Sequence, residues 1–367
     1  MIFEGVPLLC QLKDAATTNI IQNRFEDDLA VPEQVQKEIE QRLGVYFPWH
    51  MIGSVKKMGN IFPANPGLVD EFLANPNKCP GMKKIFEEGS RILGVNFYEY
   101  IKGDLENKDM TFIAIAHVLF SYGLSQEWSA NLKDDIKEVT FTSGGIFAAL
   151  LFEGVISLED GLLFMKNLYD YLWPASKTIA EGENNVYSAV LKADANEDII
   201  NLVNMIIMLN KQKLDRVYIK EIRQYNLLVI SGKKEQVEIV ADIYANGGNS
   251  MYAGTYYIPV DVLGELMQQD PRHQVKHIYK DLALHIPLLE QPTWIRDEIG
   301  KMKLNKPTHE IVGHDFKRLI ARDAVDSSII SDFIASALFS TINTVETAEN
   351  LVRDCDKIVT IGAPKWF

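Results

Sequence analysis

Val139 to Leu162 reads VTFTSGGIFAALLFEGVISLEDGL. A β-rich segment, Glu138 to Thr142, runs into Ser143. Two glycines follow, then a small-residue helix containing Ala148 and Ala149. Ser157, with Asp160 three residues on, opens a second helix. A strand, a sharp turn with serine at its apex and a helix together lift a serine hydroxyl clear of the backbone. The same turn points N–H groups of the helix start at whatever the hydroxyl attacks.

Working outward, Thr111 to Trp128 is a mostly apolar helix, and Pro80 to Leu93 is an amphipathic one carrying Met82, Ile85, Phe86, Ile92 and Leu93. Asn60 onward, NIFPANPG, reads as a short strand ending in a Pro/Gly turn. Further back, Val31-Pro32-Glu33 opens a helix to about Leu43, with Gly44 as its stop. The aromatic stretch Tyr46-Phe47-Pro48-Trp49-His50 follows, and residues 1–57 read as an N-terminal extension. On the other side, the helix from Ser157 runs to Trp173 and ends at Pro174.

The periodicity then changes. Val186 to Leu191 is a strand, Asp194 to Asn210 a helix, Arg216 to Ile222 and Asn226 to Ile230 two strands, Lys234 to Ala245 a helix stopped by Gly247-Gly248, and Met251 to Val260 a last strand. This βαββαβ order is ferredoxin-like. After it come a helical region from Leu263 to Leu284, a strand His285-Ile-Pro-Leu-Leu289, helices from His314 and Ser328, and a strand from Lys357 near the end. Strands alternating with helices on both sides of an insertion predict an α/β fold. The expected domains are an extension (1–57), a large subdomain in two parts (58–185 and 263–367) and a ferredoxin-like small subdomain (186–262).

The chain has 367 residues, 47% of them apolar and 24% charged, enough to bury a large core. A net charge of −13 argues against nucleic acid as a partner and against docking on anionic lipid. The three cysteines, Cys10, Cys79 and Cys355, lie far apart, so neither a zinc site nor a disulfide framework is indicated. The start has no basic n-region or cleavage site, and no uncharged apolar run is long enough to span a membrane. The expected location is cytoplasmic.

Several of these strings resemble the malonyl-CoA:acyl carrier protein transacylases and the acyltransferase domains of polyketide synthases. The resemblance covers about Ile61 to the end. Phe62-Pro63-Ala64-Asn65-Pro66-Gly67 is similar to the family's opening FPGQGSQ. Phe141 to Leu150 matches its nucleophile motif GHSLGEYAAL, and GVISLEDGL is nearly the family's own. NLLVISGKKEQVE resembles elements of its small subdomain, and DKIVTIGAPK its terminal strand. The resemblance implies an α/β-hydrolase-like large subdomain with an inserted ferredoxin-like one and a cleft between them. It also implies a serine that takes an acyl group from coenzyme A and passes it to the phosphopantetheine thiol of an acyl carrier protein. It implies no bound cofactor, the coenzyme A or phosphopantetheine thioester being substrate.

The chain also departs from that pattern. Phe141 replaces the first glycine of the nucleophile motif and Thr142 the histidine before the serine. The arginine that grips a malonyl carboxylate falls at Leu168, and the glutamine of the opening turn at Asn65. The family's base comes from a histidine in H-x-x-L-M; the matching string here, Pro259 to Met267, contains Leu263 but no histidine. His273, His277 and His285 are candidate replacements that spacing does not separate, and Asp261 is a further candidate. Ser143 is thus the expected nucleophile, with Gly144 and Asn65 N–H groups as oxyanion hole and Thr142, Leu168 and Leu263 in the substrate pocket. Without an arginine, a carboxylated acyl group is disfavoured. Two readings stay open: an enzyme working through acyl-Ser143 on a non-carboxylated acyl group, or a catalytically inactive homologue that binds carrier protein as a scaffold.

Overall fold

A computed structural model describes residues 42–48, 61–63, 72, 74–102, 109–129, 136–182, 185–192, 203, 205–207, 209–211, 217–224, 227–252, 255, 274–313, 318–319, 325–344, 347, 351 and 353–361. The larger of two sheets contains β1 (Leu43–Phe47), β2 (Ile61–Pro63), β3 (Ile136–Phe141), β8 (Glu310–Val312), β9 (Arg318–Leu319) and β11 (Lys357–Thr360). Their order is β2-β11-β1-β3-β8-β9. All pairs are parallel except β8 with β9. Every residue of β1 is buried, as a central parallel strand requires.

That strand corrects the reading of 1–57 as an extension, because Leu43–Phe47 lies between β11 and β3 in the middle of the sheet. Gly44 is a strand residue, not a helix stop. A Cβ there would lie 2.9 Å from the Cys355 sulfur and 3.1 Å from a Leu351 methyl, so the glycine lets the chain before β11 pack onto β1. The helix expected from Val31 lies outside the described residues.

Helices α1 (Pro80–Leu93), α2 (Phe97–Lys102), α3 (Met110–Ser129), α4 (Gly145–Phe152) and α5 (Leu158–Glu181) belong to the first part of this layer. Helices α3 and α4 are buried nearly all round, which explains their lack of a polar face. Helix α1 buries only Met82, Ile85, Phe86 and Gly89 and ends on Gly94 in the left-handed region. Ser157 caps α5, accepting from the Asp160 N–H. Contrary to expectation, α5 continues through Pro174. The proline is exposed, while Ser176 and Ala180 beyond it are buried, so the apolar face carries the helix past a missing solvent-side hydrogen bond.

The second sheet has β4 (Val186–Lys192), β5 (Tyr218–Gln224), β6 (Leu227–Lys233) and β7 (Gln274–Lys280), in the order β5-β6-β4-β7, with all neighbours antiparallel. This is the ferredoxin-like arrangement, covered by α6 (Lys234–Asn246). Its fourth strand is Gln274–Lys280, not Met251 to Val260; Met251 and Tyr252 form a turn, and 256–273 lie outside the described residues. The region expected as helix up to Leu284 therefore contains a strand, and His285 to Leu289 is a series of turns rather than a strand. Helix α7 (Trp294–Gly300) and strand β8 went unpredicted. The helix from Ser328 is α8 (Ser327–Phe339), capped by Asp326. Strand β10 (Ile342–Asn343) extends the second sheet, parallel to β5.

Candidate active site

Ser143 stands at the C-terminal end of β3 with φ of 50°, a conformation that a non-glycine residue adopts only when its surroundings hold it there. The Thr142 N–H donates to the Phe47 carbonyl at 3.1 Å, tying the turn to the end of β1. Gly145 makes this possible: a Cβ there would lie 2.1 Å from the same carbonyl oxygen. The Gly145, Ile146 and Phe147 N–H groups then donate to the Thr142, Ser143 and Gly144 carbonyls and begin α4. Phe141, in place of the motif's first glycine, points into the core and lies 6.2 Å from the Phe333 ring.

The Ser143 hydroxyl lies 2.9 Å from His285 Nε2, and both residues are buried. Of the three histidines that spacing did not separate, His285 is the one beside Ser143. His285 also has a positive φ, 60°, so both partners meet on strained backbone. Its Nδ1 lies 3.3 Å from the Ser340 carbonyl. A carbonyl only accepts, so this contact places the ring proton on Nδ1 and leaves Nε2 to accept from the Ser143 O–H. Ser340 is itself fixed, its hydroxyl donating to the Ser336 carbonyl.

The sequence contained a signal for this residue. His285-Ile286-Pro287-Leu288-Leu289 fits H-x-x-L with leucine at the last position. It follows the fourth strand of the small sheet, Gln274–Lys280, which lies about 20 residues beyond the segment expected as that strand. His277 sits on exposed β7 with its ring stacked on Tyr279. His273, Asp261, Leu263 and Asn65 lie outside the described residues. Asn65 follows β2, which is separated from β3 by β11 and β1.

A cavity of about 290 Å³ opens beside the pair, with Thr142, Ser143, Gly144 and His285 among its lining residues. Helix α3 contributes Met110, Ile113, Ala114 and His117, and α5 contributes Tyr169, Leu172 and Trp173. Leu168 is fully buried in the main core, one residue from the lining Tyr169. The Thr142 hydroxyl lies 3.1 Å from the buried Tyr46 hydroxyl, whose ionisation burial suppresses. The opposite wall is polar: Lys220 and Glu221 from β5, and Asp281 after β7. Lys220 pairs with Asp281 at 2.5 Å, and Ser188 donates to the same carboxylate at 2.6 Å. Among the described lining residues there is one lysine and no arginine. No group of His, Cys, Asp and Glu among the described residues could hold a metal ion. No helix among them is long and apolar enough to cross a membrane.

No protein-family model matches the sequence, and no curated protein does. Solved structures do match. The malonyl-CoA:acyl carrier protein transacylase of Coxiella burnetii superposes with a TM-score of 0.60 at 15% identity, over 89% of this chain and 88% of that one. The corresponding transacylase of Clostridium perfringens gives 0.59 at 18% identity, over 88% and 87%. The acyltransferase domain from the second module of the salinomycin polyketide synthase gives 0.54 at 15%, over 88% of this chain and 63% of that one. The chain has the α/β fold of the malonyl-CoA:acyl carrier protein transacylases and polyketide synthase acyltransferase domains.

Proposed function

We propose that this chain is an acyltransferase of fatty-acid or polyketide biosynthesis that works through an acyl-Ser143 intermediate. The observation that carries the proposal is the 2.9 Å contact between Ser143 Oγ and His285 Nε2, with His285 Nδ1 turned to the Ser340 carbonyl. Serine is a weak nucleophile until a base takes its proton. Here Nε2 takes the proton as Oγ attacks the thioester carbonyl carbon. The Gly144 N–H, at the start of α4, faces the oxygen that gains negative charge. The tetrahedral adduct collapses, the C–S bond breaks, and the proton on Nε2 passes to the leaving thiolate. An acceptor thiol then gives its proton to Nε2 and attacks the acyl-serine, regenerating Ser143. A backbone carbonyl does for His285 what a carboxylate does in a Ser-His-Asp triad, fixing tautomer and orientation. Asn65 is a second candidate donor to the oxyanion.

The cavity supports a non-carboxylated acyl group. Lys220 is already paired with Asp281, and Glu221 adds a further acidic group to the same wall. A substrate carboxylate placed there would be desolvated beside like charge without a free cation. The acyl donor is a coenzyme A or phosphopantetheine thioester, and the acceptor is the thiol of an acyl carrier protein.

Intact mass after incubation with acetyl-, malonyl- and medium-chain acyl-CoA tests the reading. The expected result is a stoichiometric adduct from an uncharged donor, absent in Ser143→Ala. No adduct from any donor, with the protein folded, would select the inactive scaffold instead.

A further inference from the structure

The cavity beside Ser143 has two unlike walls. On one side stand the charged groups of Lys220, Glu221 and Asp281. On the other, Met110, Ala114 and His117 fall on one stripe of α3, and Tyr169, Leu172 and Trp173 on one stripe of α5. The polar atoms of this second wall are closed off: the Tyr169 hydroxyl, the Trp173 indole nitrogen and His117 Nε2 are all buried. What the wall offers the cavity is alkyl carbon and ring faces. The rings are held in place, Tyr169 stacking on Trp173 at 5.7 Å with an 11° tilt and meeting Phe147 edge-on at 6.1 Å. Beside Met110 the two helices are joined, the Thr111 hydroxyl donating to Asp170 at 2.9 Å. Met110, 47% exposed, marks the outer end of the wall, and the buried Ala114 lies between it and His117. From Met110 to His117 the helix rises about 10 Å. An extended alkyl chain with bonds of about 1.5 Å covers that length in about eight carbons.

We propose that the α3 and α5 wall is the subsite for the acyl chain, that the chain is a linear medium-length alkyl group, and that Ala114 sets the length accepted. The inference rests on the acyl-serine reading above. The two ends of the thioester differ as the walls do. The pantetheine arm carries amides and hydroxyls, whereas the alkyl tail is carbon throughout. Carbon laid on the charged wall would take water from Lys220, Glu221 and Asp281 and return no hydrogen bond. Carbon laid on α3 and α5 displaces water from carbon alone. Each methylene that leaves water for this wall favours the reaction by a factor of roughly four. The gain ends where the chain passes Met110 and returns to solvent. Ala114 presents a single methyl within the stripe, and a larger side chain there would fill the space of the chain's middle carbons.

The test compares acetyl-, butanoyl-, octanoyl- and dodecanoyl-CoA at equal subsaturating concentration, reading the rate of adduct formation at Ser143 by intact mass. Octanoyl-CoA should react at least about tenfold faster than butanoyl-CoA, and dodecanoyl-CoA no more than about threefold faster than octanoyl-CoA. In Ala114→Leu the octanoyl-to-butanoyl ratio should fall at least about fivefold. Butanoyl-CoA reacting as fast as octanoyl-CoA overturns the proposal and leaves the acyl-serine reading standing. A rate that keeps climbing to dodecanoyl-CoA overturns it too, because the wall would not end the gain. So does an unchanged ratio in a folded Ala114→Leu. If circular dichroism shows that this variant does not fold, Met110→Asp, at a half-exposed position, replaces it: a lowered ratio supports the proposal and an unchanged one overturns it. No adduct from any of the four donors, with folded protein, overturns both readings.

Discussion

At its C-terminal end β3 turns into Ser143, where two residues with positive φ bring a hydroxyl and an imidazole within 2.9 Å. At its other end Glu138, 1% exposed, follows a register shift against β1 and lies within 3.9 Å of Arg318. Arg318 also pairs with Glu310 at 2.7 Å and Asp354 at 3.4 Å. Burial pushes the Glu138 carboxyl up to about 7, against the opposing pull of Arg318. Burial, then the nearby Glu138 charge, pushes the Cys355 thiol up to about 12, so it stays protonated. One end holds reactive groups in place by strained backbone, at a cost of order 1–3 kcal/mol per strained residue. The other neutralises buried charge through side-chain ion pairs. The same strand thus places chemistry at its C-terminal turn and charge balance near its start.

The sharpest way to break this contrast is at the reactive end. His285→Ala should slow acyl-Ser143 formation by about 10³- to 10⁴-fold with an unchanged circular dichroism spectrum. A loss of less than tenfold in adduct rate would mean that His285 does not act as base. Gly145→Ala probes the turn itself. The added methyl would meet the Phe47 carbonyl, and we expect a loss of about 3 kcal/mol in urea unfolding. A neutral result would show that the elbow relaxes away from β1.

The other end should respond to pH instead. The Glu138 carboxyl holds its proton more tightly folded than unfolded, so between about pH 4.5 and 7 the folded state binds the extra proton. Stability from this group is fully present below the unfolded value and is lost as pH rises through about 7. The loss should amount to about 2–3 kcal/mol. Glu138→Gln should flatten that dependence in melts at pH 5 and pH 8, while leaving the adduct rate intact. The smallest effect concerns the join between the sheet and the elbow. Tyr46→Phe removes the bond to Thr142 and should cost about 1 kcal/mol of stability, read from the shift in urea midpoint.

Much of the fold was legible because its signals are local. The amphipathic run of α1 from Pro80 to Leu93, the Ser157 cap of α5, the mostly apolar run of α3 and the strand-turn-helix at Ser143 each depend on a few adjacent residues. Val186 to Lys192 and Lys234 to Asn246 likewise announce themselves by period. Strand β1 was not legible, because LGVYF is short, and its centrality depends on β3 and β11, which lie far along the chain. The fourth strand of the small sheet was misplaced because MYAGTYYIPV looks as β-rich as QVKHIYK. The latter is exposed and alternates weakly, and its place is set by pairing with β4.

The sequence by itself determined the elbow, the candidate nucleophile and the ferredoxin-like order of the insertion. Those follow from backbone sterics and side-chain periodicity within a few turns of chain. Only the tertiary structure decided which histidine faces Ser143. The two residues are 142 positions apart, and their contact exists because β3 and the turn after β7 converge on one cavity. Three histidines were equivalent by spacing. Folding distinguishes His285 by holding its backbone at positive φ and its Nδ1 against the Ser340 carbonyl.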